Sequence, residues 1–264
     1  MKKTFFGGLV LILILFLAAC SNNTSKNETA TQKNVEITVS AAASLGDALG
    51  DIKSRFEKKY PDLKLLINLG GSGALQQQII QGAPTDIFIS AAKDQFSALS
   101  KAGLLENQQQ VDLLSNQLVL ITNKSNGIPI DKFSDLTKNS IKKMAIGTPE
   151  SVPAGMYAKQ TLQHLGIWGH VQQKTIETKD VRQVLTYVET NNVDAGIVYM
   201  TDAKVSDKVR VAAIANNQDH DPIIYPAGII KASHHKHEAT LFYDYLRSSF
   251  AKGIFEKYGF KVLD

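Results

Sequence analysis

The sequence predicts an α/β protein of two lobes, each a mainly parallel sheet flanked by helices, joined by two hinge strands. Three observations predict it. Segments with strand alternation are followed, again and again, by segments with helical spacing. About 230 residues remain once the N-terminal segment is set aside, enough for two modest lobes that each bury a core. Two apolar stretches, Gln117–Asn123 and Pro222–Lys231, are placed so that the chain can pass from one lobe to the other and back.

The chain opens with Lys2 and Lys3, then an apolar run from Leu9 to Ala19 that ends in Leu17-Ala18-Ala19-Cys20. The run is short for a membrane-spanning helix. Charged start, apolar middle and small residues at the end make a secretory signal, residues 1–19. LAAC resembles the lipobox of bacterial lipoproteins, which implies that Cys20 carries the lipid. Cys20 is also the only cysteine, so the exported protein has no internal disulfide. Ser21 to Lys33 contains no large apolar residue with which to offset the entropy of ordering, and residues 20–34 read as a flexible tether. The formal charge of +4, from 29 basic and 25 acidic residues, becomes +2 when Lys2 and Lys3 leave with the signal. Nothing in that balance suggests nucleic acid.

Regular patterning begins at Val35, Ile37 and Val39, which alternate as a strand, and continues with Leu45, Leu49, Ile52 and Phe56 at helical spacing. The same unit recurs with LKLLINL and ALQQQII, and with DIFIS and DQFSALSKAG. It recurs again with KMAIG, with the helix at Val181, Val184, Leu185 and Val188, and with GIVY. Alternating strands and helices imply parallel sheets covered on both faces. The final helices, around Leu241, Phe242, Tyr245, Leu246 and Phe250, are expected to return to the first lobe. The expected division is 35–118 with 228–264 for lobe 1, and 119–227 for lobe 2.

Chemistry is expected in the turns that open helices, where unpaired amide N–H groups and the helix dipole favour an anion. Four turns stand out: Ala41-Ala42-Ala43-Ser44, Gly70-Gly71-Ser72-Gly73, Ser151-Val152-Pro153-Ala154-Gly155 before a helix near Met156, and Lys179-Asp180-Val181. Tyr199 adds a phenol at the end of the GIVY strand. Each has a plainer reading alone. Ser44, Ser72 and Asp180 could be N-caps, the glycines could permit tight turns, and Tyr199 could be a core or rim residue. Together they would face one cleft, as strand ends on two opposed sheets do.

From about Ile37 to the C-terminus the chain resembles the molybdate-binding proteins of ABC importers. The resemblance is carried by ITVSAAASL, GAPTDIFISA, GTPESVPAGMYAKQTLQHLG, DVRQVLTYVE, DAGIVY and FYDYLRSSFAKGIFEKYGF, together with the serine-bearing turn before LQQQI. It implies the type II two-lobed periplasmic-binding-protein fold and no enzymatic activity or cofactor. It further implies that the side chains of Ser44 and Ser72, the amides of Ala154 and Val181, and the hydroxyl of Tyr199 hold molybdate or tungstate through its oxygens. No side chain would ligate the metal directly. The expected partner is a membrane permease, and the expected state a monomer held outside the cell by the lipid on Cys20. Family members often have consecutive serines where this chain has Gly71-Ser72-Gly73.

Neutral donors with no acceptor suit a fully deprotonated dianion. A protonated phosphate would bury an unmatched donor at a cost of about 1–3 kcal/mol. Sulfate carries no such proton and would have to be excluded by its smaller size, so a binder of sulfate is the alternative reading. A secreted serine hydrolase is a further alternative, although G-x-S-x-G, H-E-x-x-H and G-x-x-x-x-G-K-[ST] are missing from the sequence. The effector domain of a transcription regulator would have no need of a signal. His234, His235 and His237 have a spacing that could suit a transition metal, but in a polar loop before a helix they read as a solvated turn and are given no role. Asp47, Asp51, Arg55, Glu57, Lys58 and Lys59 read as the wet face of the first helix.

Overall fold

A computed structural model describes residues 34–263. The signal, Cys20 and nearly all of the tether lie outside the described residues. In chain order the first part forms β1 (Val35–Ala42), α1 (Gly46–Lys59), β2 (Leu63–Gly70), α2 (Ser72–Ile80), β3 (Ile87–Ile89), α3 (Lys93–Lys101) and β4 (Leu105–Ser115). Then follow β5 (Leu118–Asn123), β6 (Met144–Gly147), α4 (Pro153–His164), α5 (Trp168–Val171), β7 (Thr175–Thr178), α6 (Val181–Glu189), β8 (Ala195–Tyr199), α7 (Met200–Lys204) and β9 (Val209–Ile214). The chain closes with β10 (Ile224–Ile230), α8 (Lys236–Leu246), α9 (Ser249–Tyr258) and β11 (Lys261–Val262). The helix expected near Met156 starts earlier, at Pro153, whose missing N–H suits a first helical position.

These strands build two sheets, ordered β11-β4-β10-β3-β1-β2 and β7-β6-β8-β5-β9. The strand–helix units are parallel, as the alternation predicts: β1 with β2 and β3, and β6 with β7 and β8. Both sheets are nevertheless mixed, because β10 is antiparallel to β3 and β4, and β5 is antiparallel to β8 and β9. The reason is where the chain crosses. Leu118, the first residue of β5, pairs with Tyr199, the last of β8, so β5 enters its sheet at the cleft edge and runs away from it. The crossings are therefore the segments 116–117 and 215–223, and the strand within each apolar stretch read as a hinge strand belongs to a single sheet. β10 belongs to the first sheet from Ile224 onward, so lobe 2 ends before that strand and not at 227.

Period-two alternation explains how the first sheet is covered on both faces. Ile87 and Ile89 of β3 join the main core with Leu49, Ile52 and Phe56 of α1, whereas Phe88 between them packs on the opposite face with Leu75, Ile79, Phe96 and Leu99 of α2 and α3. As expected, α8 and α9 return to this lobe, where Phe242 and Tyr245 meet Phe56 edge-on. In the second lobe α4 and α6 cover a sheet whose central strands β5 and β8 are buried throughout.

α4 sits unusually close to its sheet. A Cβ on Gly155 would lie 1.8 Å from the Gly147 carbonyl oxygen, which only movement of the backbone could relieve. Gly155→Ala is therefore expected to destabilise the protein by about 3 kcal/mol through overpacking. Gly50, exposed in mid-α1, has nothing within 4 Å of such an atom, and Gly50→Ala should add about 0.5–1 kcal/mol. Urea unfolding of both variants checks the pair, and effects of the same sign would contradict this packing.

Candidate functional site

At the cleft the two lobes touch through backbone. The N–H of Gly73, in the first turn of α2, donates to the Ser151 carbonyl between β6 and α4 at 2.8 Å. A Cβ on Gly73 would meet the Ser151 Cα at 2.8 Å, and one on Gly71 would meet the Lys179 carbonyl at 2.9 Å. A side chain at either position would require the opposing backbone to shift. The Gly71-Ser72-Gly73 departure is thus what lets the two backbones approach.

Between them lies a small cavity that brings together all five residues picked out in the sequence: Ser44, Ser72, Ala154, Val181 and Tyr199. The rest of its wall is small or apolar, with Ala42, Gly70, Ala91 and Val152 among it, and no charged side chain lines it. Ser44 sits in the 3₁₀ turn that follows β1, Ser72 opens α2, and each is at most 3% exposed. Neither caps its own helix. Instead the Ser72 hydroxyl accepts the Ala91 N–H at 3.0 Å, which leaves its proton free to be donated. Ser44 Oγ lies 2.9 Å from the hydroxyl of Tyr225.

The second lobe contributes helix starts. Ala154 is the second residue of α4 and Val181 the first of α6, so neither N–H has a carbonyl four residues back within its helix. Both helices direct the positive end of their dipole at the cavity. Asp180 is a cap, as its plainer reading had it: its side chain accepts the Gln183 N–H at 2.9 Å. Tyr199 is buried at the end of β8, with its hydroxyl beside that of Tyr225 and no well-formed hydrogen bond among the described residues. Burial holds the phenol well above its ordinary pKa, so it remains a neutral donor.

Behind Tyr199 stands a charged group that pattern reading missed. Asp202 accepts the Tyr199 N–H at 3.2 Å through one carboxylate oxygen and lies 2.9 Å from Arg182 Nε through the other. Arg182 follows Val181 directly and also pairs with Asp47 of α1, across the cleft. Asp47 therefore does not belong to a merely wet face. Nor do Asp51, bonded to Lys257 and Tyr258 of α9, and Glu57, which accepts the Leu65 N–H. Asn116 and Tyr225 were also missed, since Tyr225 reads as one more apolar position in IIYPAGII and meets Ser44 from 181 residues away. His234, His235 and His237 open α8, and no group of three metal-ligating side chains among the described residues could hold an ion.

Two facing lobes with a small cavity at the strand ends define a binding protein of the two-lobed transport type. The family model for bacterial extracellular solute-binding proteins matches residues 37–261, and the chain belongs to that family. It is 48% identical over 250 residues to the putative ABC transporter substrate-binding lipoprotein YvgL of Bacillus subtilis, covering 95% of each chain. It is 35% identical to the molybdate-binding protein ModA of Haemophilus influenzae, over 87% of this chain and 91% of that one. Among solved structures, the substrate-binding domain of a putative molybdenum ABC transporter from Clostridium difficile superposes with a TM-score of 0.66 at 40% identity, covering 87% of this chain and 99% of that one. These proteins bind and carry solutes and are not enzymes.

Burial raises the pKa of Asp202 to about 6, against the pull of Arg182 and the Tyr199 N–H. An unfolded aspartate ionises near about 4. The folded chain therefore binds more protons between those values, and the stability contributed by this group is complete below about pH 4 and lost as pH rises through about 6. Asp202→Asn should remove that dependence, so that parent stability falls by about 2–3 kcal/mol relative to the variant between pH 4 and 7. Parallel pH profiles in urea unfolding would show that Asp202 titrates normally.

Proposed function

We propose that this chain captures molybdate, and tungstate, in the inter-lobe cavity and delivers it to the permease of an ABC importer, held at the membrane by a lipid on Cys20. The observation that carries the proposal is a small inter-lobe cavity whose polar lining consists of neutral donors, three hydroxyls and two helix-start amides, among small and apolar residues, with no charged side chain. A dianion without protons can accept from every one of them, and each such bond to a charged acceptor contributes about 1.5–3 kcal/mol. Hydrogen phosphate brings a proton for which this wall has no evident acceptor. Sulfate has none, but its shorter bonds draw its oxygens inward, and donors spaced for a larger tetrahedron cannot all reach them. The relatives described as molybdate-binding, and the likeness of LAAC to a lipobox, support the same reading.

Anion-dependent melting is the direct test, because a guest that binds only the folded state stabilises it. At about a hundred times its Kd, molybdate or tungstate should add about 2.7 kcal/mol, a rise in Tm on the order of 5–10 °C. Sulfate and phosphate at equal concentration should do much less. Equal shifts from all four anions, or a shift from sulfate alone, would reject the assignment.

Single substitutions locate the contacts. Ser44→Ala and Ser72→Ala should each weaken molybdate by about 1.5–3 kcal/mol in calorimetric titration while the protein stays folded. Tyr199→Phe removes a buried hydroxyl that has no well-formed hydrogen bond among the described residues, so the ligand-free Tm should hold or rise while binding weakens by about 1–3 kcal/mol. Small-angle scattering should show less ligand-induced compaction in this variant. Parental affinity in all three would mean that these hydroxyls are structural.

A further inference from the structure

Tyr225 stands behind Ser44, fully buried and one hydroxyl removed from the cavity. Its other partner fixes what it can do. Asn116, in the first crossing, accepts the Gln117 N–H on its side-chain oxygen at 2.9 Å, which leaves its amide nitrogen facing Tyr225 Oη at 3.2 Å and Thr201 Oγ1 at 2.9 Å. That nitrogen can only donate. The phenol oxygen therefore accepts from Asn116, and its own proton goes to Ser44 Oγ, 2.9 Å away. Ser44, having accepted, turns its proton to the cavity.

We propose that Asn116 and Tyr225 are positioning residues which set the direction of the Ser44 hydroxyl, so that it meets an oxyanion as a donor. The inference rests on the oxyanion reading of the cavity and deepens it. Ser72 receives the same orientation from the Ala91 backbone N–H, which no substitution of a side chain removes. Ser44 depends on two side chains, and one of them, Asn116, also reaches Thr201 of the second lobe. The selectivity of the cavity for anions without protons thus extends two residues beyond the groups that touch the anion.

The relay can be weakened or reversed. Tyr225→Phe leaves Ser44 free to turn either way, and molybdate affinity should fall about tenfold with the ligand-free Tm little changed. Asn116→Asp keeps the shape but replaces the donor with an acceptor, so Tyr225 donates to the carboxylate, Ser44 donates to Tyr225, and a lone pair faces the anion. Affinity should then fall about a hundredfold, beyond the loss in Gln117→Glu, which places the same charge on the next, exposed residue. In mildly alkaline buffer, where hydrogen phosphate is also a dianion, Asn116→Asp should narrow the preference for molybdate over phosphate, because the reversed Ser44 can accept the phosphate proton. Isothermal titration of the parent and the three variants reads all of this. Affinity within about twofold of the parent in Tyr225→Phe, an Asn116→Asp no weaker than Gln117→Glu, or an unchanged preference would each overturn the relay. A parent that binds no oxyanion would overturn the cavity's assignment first and the relay with it.

Discussion

Two backbones meet across the cleft where the Gly73 N–H reaches the Ser151 carbonyl, and the rest of the site depends on that approach. Side chains at Gly71 or Gly73 would enter the space of the opposing main chain. With the lobes this close, Ser44 and Ser72 share a cavity with Ala154, Val181 and Tyr199. Moved apart, the same groups would be two sets of wet helix starts. The donors become strong only because closure excludes water, which in an open cleft would compete for every one of them.

Closure also buries groups that must be matched. The Tyr199 hydroxyl has no well-formed hydrogen bond among the described residues, and a buried donor left unmade costs about 1–3 kcal/mol. That cost favours any guest able to accept the bond. Opposing it are contacts that favour the closed form without a guest: the Gly73–Ser151 hydrogen bond, the edge-on packing of Tyr199 on Tyr225 at 5.8 Å, and the Arg182–Asp47 pair. The exposed part of that ion pair is worth little in water. Asp202, wholly buried behind Tyr199, holds the strand end and Arg182 together, so the positions of both second-lobe contributions are coupled.

Much of the fold could be read along the chain because its units are local. Period-two and helical spacing mark β1 with α1, β2 with α2, β3 with α3, and β8 as GIVY. The polar strand β4, with its run of three glutamines, carries no such signal, because its hydrogen bonds to β10 and β11 lie far away in sequence. The crossing strands were visible as apolar runs. Their sheet membership was not, since an apolar run has the same pattern whichever sheet receives it.

The sequence by itself determined the local units and the single cysteine and, through the family resemblance, singled out five candidate donors, all of which stand at strand ends or helix starts where chain chemistry is local. Only the tertiary structure decided the directions of those donors. Which way Ser44 points its proton is set by Tyr225 and Asn116, and what holds Arg182 is set by Asp47 and Asp202. These partners are drawn from other elements, and no periodicity along the chain records them. A hydrogen bond's polarity depends on what each oxygen has already accepted, and that is known only when the separate elements have been brought together.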